Sequence, residues 1–258
     1  MSIGVICYGL YNANQTKIVY YDVQLNRRLS DEMKIVLIAD LHLGDTNGEK
    51  RLEDIVQGIN YLSPDIVCIV GDIFNDDFYI IRDPDRASAL LRNIKSTYGI
   101  YASLGNHDGG RTLPETIDFL ERSNVKLLNC EHIVIDERLV LIGRLDASPI
   151  GGFGDMRRKD FSEIMEQIDV NLPIVVMEHN PVHIDEYGDE VDLILSGHTH
   201  RGQIFPGNLI TRAIYTVDYG HYQRDASSHH VIVTQGVSTW QMPMRVGTDN
   251  EIVSIRLQ

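Results

Sequence analysis

The sequence predicts an α/β protein in which two packed mixed β-sheets are flanked by helices. The first observation is that apolar runs alternate with helical patterns through the first half of the chain. The second is that short apolar runs dominate the second half, where only one helical pattern occurs. The chain also contains no internal repeat and no linker rich in Pro or Ser. One core shared by both halves is therefore the simplest division.

The first half follows a β-α-β-α-β-α order, which is typical of a largely parallel sheet covered by helices. Between Leu52 and Leu62 the apolar residues recur three and four positions apart, as on one face of a helix. Pro114 is compatible with the first turn of a later helix. The predicted strands are 34–39, 65–70 and 100–104, and the predicted helices are 52–62, 89–94 and 112–123.

The second half is predicted to consist mainly of short strands, with one helix at 161–168. The predicted strands are 125–128, 133–135, 139–142, 174–177, 193–195, 231–234 and 252–257. Two packed sheets with helices on their outer faces would place both halves around one core.

Composition and charge narrow the functional classes. The 258 residues are 43% hydrophobic, enough for a substantial core, and they carry a formal net charge of −14. Such a charge repels the nucleic-acid backbone, so general DNA or RNA binding is not expected. The three cysteines form no CxxC pair, which argues against a thiolate zinc site and a disulfide framework.

Residues 1–33 are predicted to be an N-terminal segment, followed by the main domain at 34–258. The run from Ile3 to Tyr11 is apolar but shorter than the roughly 20 residues that cross a bilayer. Two interpretations stay open: an edge strand packed on the domain, or the stub of a membrane anchor with interfacial tyrosines. The second includes contact with a membrane surface, so we expect a cytoplasmic or membrane-associated protein.

Five polar clusters stand at or just after the ends of apolar runs. They are Asp40-Leu41-His42, Gly71-Asp72, Gly105-Asn106-His107-Asp108, His179 and Gly197-His198-Thr199-His200. Most come directly after predicted strands, so their side chains are expected along one edge of the sheet, where open α/β proteins build their sites. Together they offer only oxygen and imidazole ligands, with one carboxylate placed to serve two cations. The sequence therefore predicts a two-metal site that cleaves phosphoesters.

These motifs, in this order, resemble those of the calcineurin-like metallophosphoesterase superfamily, and the resemblance covers residues 34 to the C-terminus. The style of the motifs is most similar to the bacterial YkuE-like, membrane-linked phosphoesterases. The resemblance implies a four-layer α-β-β-α sandwich. It also implies one metal ion held by Asp40, His42, Asp72 and His200, and a second held by Asp72, Asn106, His179 and His198. Asp72 would then bridge the two ions.

The implied ligand set suits Mn²⁺, Fe, Zn²⁺ or Co²⁺, with Mn²⁺ favoured, better than Ca²⁺ or Mg²⁺. Two such cations about 3.5–4 Å apart can share one water, lower its pKa and orient it for in-line attack on phosphorus. His107 is the candidate general acid for the leaving oxygen, and Asp108 is expected to hold its ring. Asn106 is expected to contact the substrate as well as a metal.

Further candidate substrate-binding residues lie at or after the last motif. Arg201 and Arg245 are candidate substrate-binding residues, although Arg201 could instead be solvated. Trp240 is either ordinary packing or an apolar lip beside the metals. The run 75–78, which comes after the bridging carboxylate, could shape the pocket, and its acids are expected to be solvated rather than to bind metal.

The function predicted from these features is that of a phosphoesterase with two metal ions, acting through a hydroxide that bridges them. The expected substrate is a phosphodiester or the pyrophosphate of a lipid or nucleotide. The alternatives are a phosphomonoesterase and a non-catalytic scaffold on the same fold. After Gly71-Asp72 the chain lacks the Val-Asp-Arg-Gly of protein Ser/Thr phosphatases, which lowers that option. The oligomeric state stays open.

Overall fold

Two six-stranded mixed sheets pack face to face, as seen in a computed structural model that describes residues 2–258. The strands are β1 (Thr16–Val23), β2 (Met33–Ile38), β3 (Ile66–Val70), β4 (Ile100–Ser103), β5 (Val125–Leu127), β6 (Glu131–Ile135), β7 (Leu139–Gly143), β8 (Ile174–Met177), β9 (Leu193–Ser196), β10 (Gly220–Gln223), β11 (His230–Val233) and β12 (Asn250–Leu257). The α-helices are α1 (Ile3–Ala13), α2 (Glu49–Leu62), α3 (Pro84–Arg92), α4 (Leu113–Arg122), α5 (Phe161–Met165) and α6 (Gly207–Ile214).

The first sheet has the strand order β1-β12-β2-β3-β4-β5, and the second has the order β10-β11-β9-β8-β7-β6. All pairs in the first sheet are parallel except β12 with β2. In the second sheet the three central pairs are parallel and the two outer pairs are antiparallel. The predicted fold of two packed mixed sheets flanked by helices is therefore confirmed.

The central apolar runs form strands that are buried on both faces. In β2, Ile35 and Leu37 belong to the apolar cluster between the two sheets, while Val36 and Ile38 belong to the cluster beneath the helices. This alternation results from the two-residue period of a strand. Cys68 in β3 lies in the inner cluster, and burial raises the pKa of its thiol. That thiol is therefore an inert core group.

The N-terminal run differs from the predicted edge strand. Residues 3–11 lie in helix α1, and the edge strand of the first sheet is β1, which pairs in parallel with β12. The spacing of Ile3, Ile6, Cys7 and Leu10 is that of one helix face, which explains why this stretch is helical. The strand interpretation of residues 3–11 is thus wrong, whereas the division at residue 34 stays a prediction.

Three further elements escaped the sequence-based assignment: β1, β10 and α6. Each contains exposed or half-exposed positions, so the apolar periodicity that marked the core elements is weak there. No helix within residues 2–258 has the length and apolar character needed to cross a membrane.

Candidate functional site

The C-terminal ends of central strands from both sheets meet at one edge of the sandwich. Strands β2, β3 and β4 are parallel neighbours in the first sheet, and β8 and β9 are parallel neighbours in the second. The predicted ligands come after these strands: Asp40 and His42 after β2, Asp72 after β3, Asn106 after β4, His179 after β8, and His198 and His200 after β9. Parallel order thus places residues that are far apart in sequence at one edge.

Six of these side chains form two clusters of potential metal ligands. The first cluster is Asp40, His42 and His200, and the second is Asp72, His179 and His198. Within each cluster, one ligand atom from every residue lies within 4.8 Å of the others. This division matches the two ligand sets that the family resemblance implied.

Asp72 lies between the two clusters. Its Oδ2 is 3.2 Å from Nε2 of His179 in the second cluster and 3.7 Å from Nε2 of His42 in the first. The same oxygen therefore faces both groups of ligands, which is the position that a bridging carboxylate requires.

The hydrogen bonds of the histidines fit bound cations. Nδ1 of His179 lies 2.8 Å from the carbonyl oxygen of Val70, so this nitrogen carries a proton and Nε2 is the ring atom left to bind a metal ion. Nε2 is buried and faces the carboxylate of Asp72 at 3.2 Å. In the first cluster, Nε2 of His42 and Nε2 of His200 face each other at 3.1 Å. Two imidazoles that bring their Nε2 atoms this close to one point suit a shared cation.

Asn106 lies beside the second cluster. Its Oδ1 is 2.8 Å from Nδ1 of His198, and both residues line the same cavity. The amide oxygen therefore lies beside the second cluster, and its role as a metal ligand stays a prediction.

The charges of the second cluster stabilise one another. Burial alone would raise the pKa of the Asp72 carboxyl, but the neighbouring imidazoles of His179 and His42 hold that pKa well below its usual range. Burial likewise opposes a charged His179, yet the carboxylates of Asp72 and Asp40 raise the pKa of His179 well above its usual value. This ion pair has to be reorganised before His179 can bind a metal, because a ligating imidazole is neutral.

Burial favours the uncharged forms of the other four titratable candidate ligands. Burial raises the pKa of Asp40 to about 7, and the charge of Asp72 acts in the same direction. Burial lowers the pKa of His42 to about 4 and that of His198 to about 4. Burial also lowers the pKa of His200 well below its usual value. Neutral imidazoles are the form that binds metal ions, so these three rings are ready to ligate near pH 7.

Five ligands adopt the left-handed backbone conformation, which is uncommon for residues other than glycine. The φ angles are 57° for Asp40, 43° for His42, 51° for Asp72, 69° for His198 and 47° for His200. Each such residue costs roughly 1–2 kcal/mol in backbone strain. Strain concentrated on the ligands is typical of a functional site, since the turns that aim these side chains are not the most stable ones available.

Close packing explains the two glycines of the second and third motifs. A Cβ atom on Gly71, whose φ is 74°, would come under 3.0 Å from the ring of His179 and from Gly105. A Cβ atom on Gly105 would come equally close to Asp72. Only glycine therefore allows Asp72 and His179 to approach each other at the strand ends.

His107 is held by a different carboxylate from the one predicted. Its Nδ1 lies 2.6 Å from Oδ1 of Asp76. Asp108 instead accepts hydrogen bonds from the backbone N–H groups of Ile73, Phe74 and Gly105 at 2.8–2.9 Å. The predicted role of Asp108 as the partner of the His107 ring is thus wrong, because its buried carboxyl is already used in joining two loops. Asp76, in the run 75–78, is half-exposed, as expected, and it also contacts the site through His107.

Arg245 does not face the substrate cavity. Its side chain is fully buried, and Nη2 donates hydrogen bonds to the carbonyl oxygens of Gln235 and Ser238 at 2.7 and 2.6 Å. Nη1 lies 3.3 Å from the carbonyl oxygen of His200. The predicted substrate contact of Arg245 is therefore wrong, and this guanidinium holds the backbone around the last ligand instead.

Arg201 also points elsewhere. Its guanidinium lies 4.3 Å from the centre of the Tyr219 ring, a cation–π contact, and it is not among the cavity-lining residues. The Arg201 side chain, a predicted phosphate contact, therefore packs on the ring of Tyr219 instead.

A cavity of about 440 Å³ opens onto the ligands. Its wall is formed by Asp72, Asn106, His107, Ile150, His198, Thr199, His200, Gly202, Gln203 and Trp240. The ring centres of Trp240 and His107 are 5.8 Å apart. Of the two interpretations of Trp240, the apolar lip beside the ligands agrees with this position.

Asp146 is a buried acid near the site that the sequence analysis did not identify. It comes shortly after β7, its side chain is 2% exposed, and its Oδ2 has no hydrogen-bond partner. Its negative charge acts on both His179 and His198. The sequence could have revealed Asp146 by the same pattern that identified Asp40 and Asp72, an acid just after a buried apolar run.

Comparison with known sequences agrees with this geometry. The sequence model of a family described as calcineurin-like phosphoesterase matches residues 33–202. An uncharacterized metallophosphoesterase of Campylobacter jejuni is 29% identical, over 100% of this chain and 68% of that protein. The Bacillus subtilis metallophosphoesterase YkuE is 29% identical, over 88% of this chain and 80% of YkuE. A Bos taurus protein named as a transmembrane protein with metallophosphoesterase domain is 31% identical, over 97% of this chain and 59% of its own length.

Solved structures share the fold at low sequence identity. A dimetal phosphatase from Danio rerio superposes with a TM-score of 0.50 at 15% identity, covering 82% of this chain and 89% of that one. A sulfate thiohydrolase from Thermus thermophilus superposes with a TM-score of 0.51 at 12% identity, covering 79% of this chain and 52% of that one. The fold implies two divalent metal ions, for which the two clusters are the candidate sites. The motifs, the sandwich and the matched sequence model together show that this chain belongs to the calcineurin-like phosphoesterase family.

Proposed function

We propose that this metallophosphoesterase hydrolyses phosphodiesters, or the pyrophosphate of a lipid or nucleotide, with two transition-metal ions. The observation that carries the proposal is the position of Asp72 between two ligand clusters at the base of a cavity. Asp40, His42, Asp72 and His200 would hold one ion, and Asp72, Asn106, His179 and His198 the other. When bound, such ions activate water and neutralise charge on the phosphoryl oxygens. The mixed nitrogen and oxygen ligands favour Mn²⁺, with Fe, Zn²⁺ and Co²⁺ as alternatives.

His107 is the proposed general acid of the reaction. It lines the cavity, and its Nδ1 is held by Asp76, so Nε2 is the ring atom that can pass a proton to the leaving oxygen. Asp76 fixes the orientation of the ring. Asn106, which lies near His198, is the proposed contact for a phosphoryl oxygen.

The wall of the cavity supports a diester over a monoester. Among the described residues that line it, none is Lys or Arg. A monoester near pH 7 carries close to two negative charges, whereas a diester carries one and adds a second organic group. Ile150 and Trp240 offer apolar surface to such a group. The net charge of −14 disfavours long nucleic acids as substrates.

We also propose that the protein works in the cytoplasm or at a membrane surface, with the N-terminal segment as a contact. Relatives from Bos taurus and Danio rerio are named as transmembrane proteins with a metallophosphoesterase domain, which supports this placement. The chain spans about three fifths of the length of those two relatives, 59% and 60%.

The experiment compares initial rates on bis-(nitrophenyl) phosphate and nitrophenyl phosphate after the stripped protein is reloaded with Mn²⁺, Fe²⁺, Zn²⁺ or Co²⁺. Metal content is measured on the same samples. We expect the diester to be the faster substrate and Asp72→Asn to abolish turnover. Asp45→Asn is the matched control, because its side chain is exposed and outside the clusters.

Preference for the monoester would overturn the diesterase assignment. Activity of Asp72→Asn within a few-fold of wild type would contradict the shared-carboxylate geometry. Two bound ions without hydrolysis of any ester would favour the non-catalytic scaffold.

A further inference from the structure

Most of the large apolar side chains that are exposed among the described residues lie in three segments. They are residues 3–13, which form α1, residues 204–215, which contain α6, and the loop 238–246. We call these three segments the apolar rim. Isolated exposed apolar residues are ordinary, but a contiguous group of them marks an interaction surface.

Helix α1 exposes its large apolar side chains and buries small and polar residues, which is the reverse of a typical surface helix. The residues that it buries are the small Gly9 and the polar Asn12. Nδ2 of Asn12 donates a hydrogen bond of 2.7 Å to the carbonyl oxygen of Thr248. Its large apolar and aromatic side chains are exposed instead: Ile3, Ile6, Tyr8, Leu10 and Tyr11. An amphipathic helix normally buries its apolar stripe, whereas this face has no partner among residues 2–258.

Helix α6 shows the same inversion. None of its residues is buried, and Leu209, Ile210 and Ile214 are 53%, 61% and 63% exposed. A polar residue faces the protein, because the hydroxyl of Thr211 lies 2.9 Å from Oδ2 of Asp218. Ile210 and Ile214 are four residues apart and therefore lie on one outward stripe.

Backbone hydrogen bonds join the three segments into one surface. The backbone N–H of Arg245 donates to the carbonyl oxygen of Gly9 at 3.1 Å, which ties α1 to the loop. The backbone N–H of Phe205 donates to the carbonyl oxygen of Val246 at 2.8 Å, which ties the segment before α6 to the same loop. The apolar rim is thus a single fixed feature.

The apolar rim borders the cavity that is lined by His200 of the first cluster and by Asp72 and His198 of the second. Gln203 and Trp240 line this cavity and also line an adjoining groove of about 210 Å³. Ile204 and Met242 form the outer part of that groove. Nε2 of Gln203 donates a hydrogen bond of 3.0 Å to the carbonyl oxygen of Trp240, which holds the shared wall in place. An apolar group on a substrate in the cavity can therefore lie along the groove toward the rim.

The charge of the apolar rim differs from that of the whole chain. Of the 258 residues, 37 are acidic, yet the three segments contain no Asp or Glu. Arg212 is exposed there, while Arg245 is buried. The rim also exposes Tyr8, Tyr11 and Trp240, whose rings combine an apolar body with a polar group, as at membrane interfaces. Lack of acid suits an anionic surface, which would repel the rest of the molecule.

We propose that the apolar rim docks on an anionic lipid bilayer and that the substrate is an amphiphilic phosphoester. The phosphoester enters the cavity from the bilayer while its apolar part lies in the groove of Ile204 and Met242. The docking stands on the exposed helices alone, whereas the substrate class rests on the proposed phosphoesterase function. Helices with an exposed apolar face and a basic side chain nearby are the kind that lie in a membrane interface.

Trp240 is the only tryptophan of the chain, so its fluorescence reports on the apolar rim directly. We expect its emission to shift to shorter wavelength when vesicles of phosphatidylcholine and phosphatidylglycerol in equal parts are added. The double variant Ile210→Asp, Ile214→Asp is expected to bind these vesicles at least about tenfold more weakly in a flotation assay, because it removes two large apolar anchors. The matched control is Val170→Asp, Val182→Asp, two exposed valines outside the rim, which is expected to bind like wild type.

Two further readouts separate the outcomes. Hydrolysis of the soluble bis-(nitrophenyl) phosphate is expected to be unchanged in the Ile210, Ile214 variant, while hydrolysis of a phosphodiester with a long alkyl chain in vesicles falls with binding. Vesicle binding without hydrolysis of any ester would contradict the proposed phosphoesterase function, and with it the substrate class. The proposal that the rim docks on a bilayer would still stand. No spectral shift, or equal binding by both double variants, would overturn the docking. A dimer that the Ile210, Ile214 variant loses, without vesicle binding, would show that a second copy covers the rim.

Discussion

Replacing Asp76 by Asn is expected to slow the hydrolysis of esters with poor leaving groups most. The hydrogen bond from His107 Nδ1 to Asp76 Oδ1 is 2.6 Å long, and the Asp76 side chain is 49% exposed. A hydrogen bond to a charged group contributes about 1.5–3 kcal/mol, and solvent near Asp76 reduces this to about 1–2 kcal/mol. If the bond orients His107 for proton transfer, kcat falls roughly 5- to 30-fold.

The assay measures kcat for a series of aryl phosphodiesters whose phenols differ in acidity, at saturating Mn²⁺. We expect the loss in Asp76→Asn to grow as the leaving phenol becomes less acidic, with His107→Ala setting the upper limit. Asp77→Asn removes the same charge one residue later and is expected to behave like wild type, because Asp77 contacts Arg111 and the backbone N–H of Tyr79. A loss that is equal for all leaving groups, or equal in Asp77→Asn, would refute the orienting role of Asp76.

Three further outcomes are expected from the same geometry. Asp108→Asn is expected to lower the free energy of unfolding by about 2 kcal/mol, because an NH₂ group would face a backbone N–H; urea denaturation measures this. The same variant is expected to slow the hydrolysis of all esters equally, which the same ester series tests. Gly71→Ala is expected to lose metal, since its Cβ would enter the His179 ring, whereas Gly4→Ala, with nothing within 4 Å, keeps it; metal analysis decides. Protons occupy Asp40, whose pKa is about 7, and His179, whose pKa is raised, so cations must displace them. Metal affinity measured by calorimetry is therefore expected to fall by roughly tenfold per pH unit for each displaced proton as the pH drops below 7, and a flat profile would contradict it.

The strand-end motifs were predictable because the information lies within a few neighbouring residues. An apolar run that is buried on both faces predicts a central strand, and parallel strands place the residues at their C-terminal ends along one edge. The position of Asp72 between both clusters results from this rule. Helix α6 was missed for the opposite reason: its apolar residues face outward, so they carry no information about the core.

The roles of Asp76, Asp108 and Arg245 depended on contacts that no local pattern encodes. Asp76 lies 31 residues before His107, and Arg245 lies 45 residues after His200, so loop geometry alone determines which groups meet. By itself, the sequence determined which atoms can bind metal ions and at which end of the sheet they gather, because strand period and ligand chemistry are local properties. Only the tertiary structure decided which carboxylate holds His107 and which arginine is buried, because competition for a hydrogen-bond partner depends on distances between separate loops.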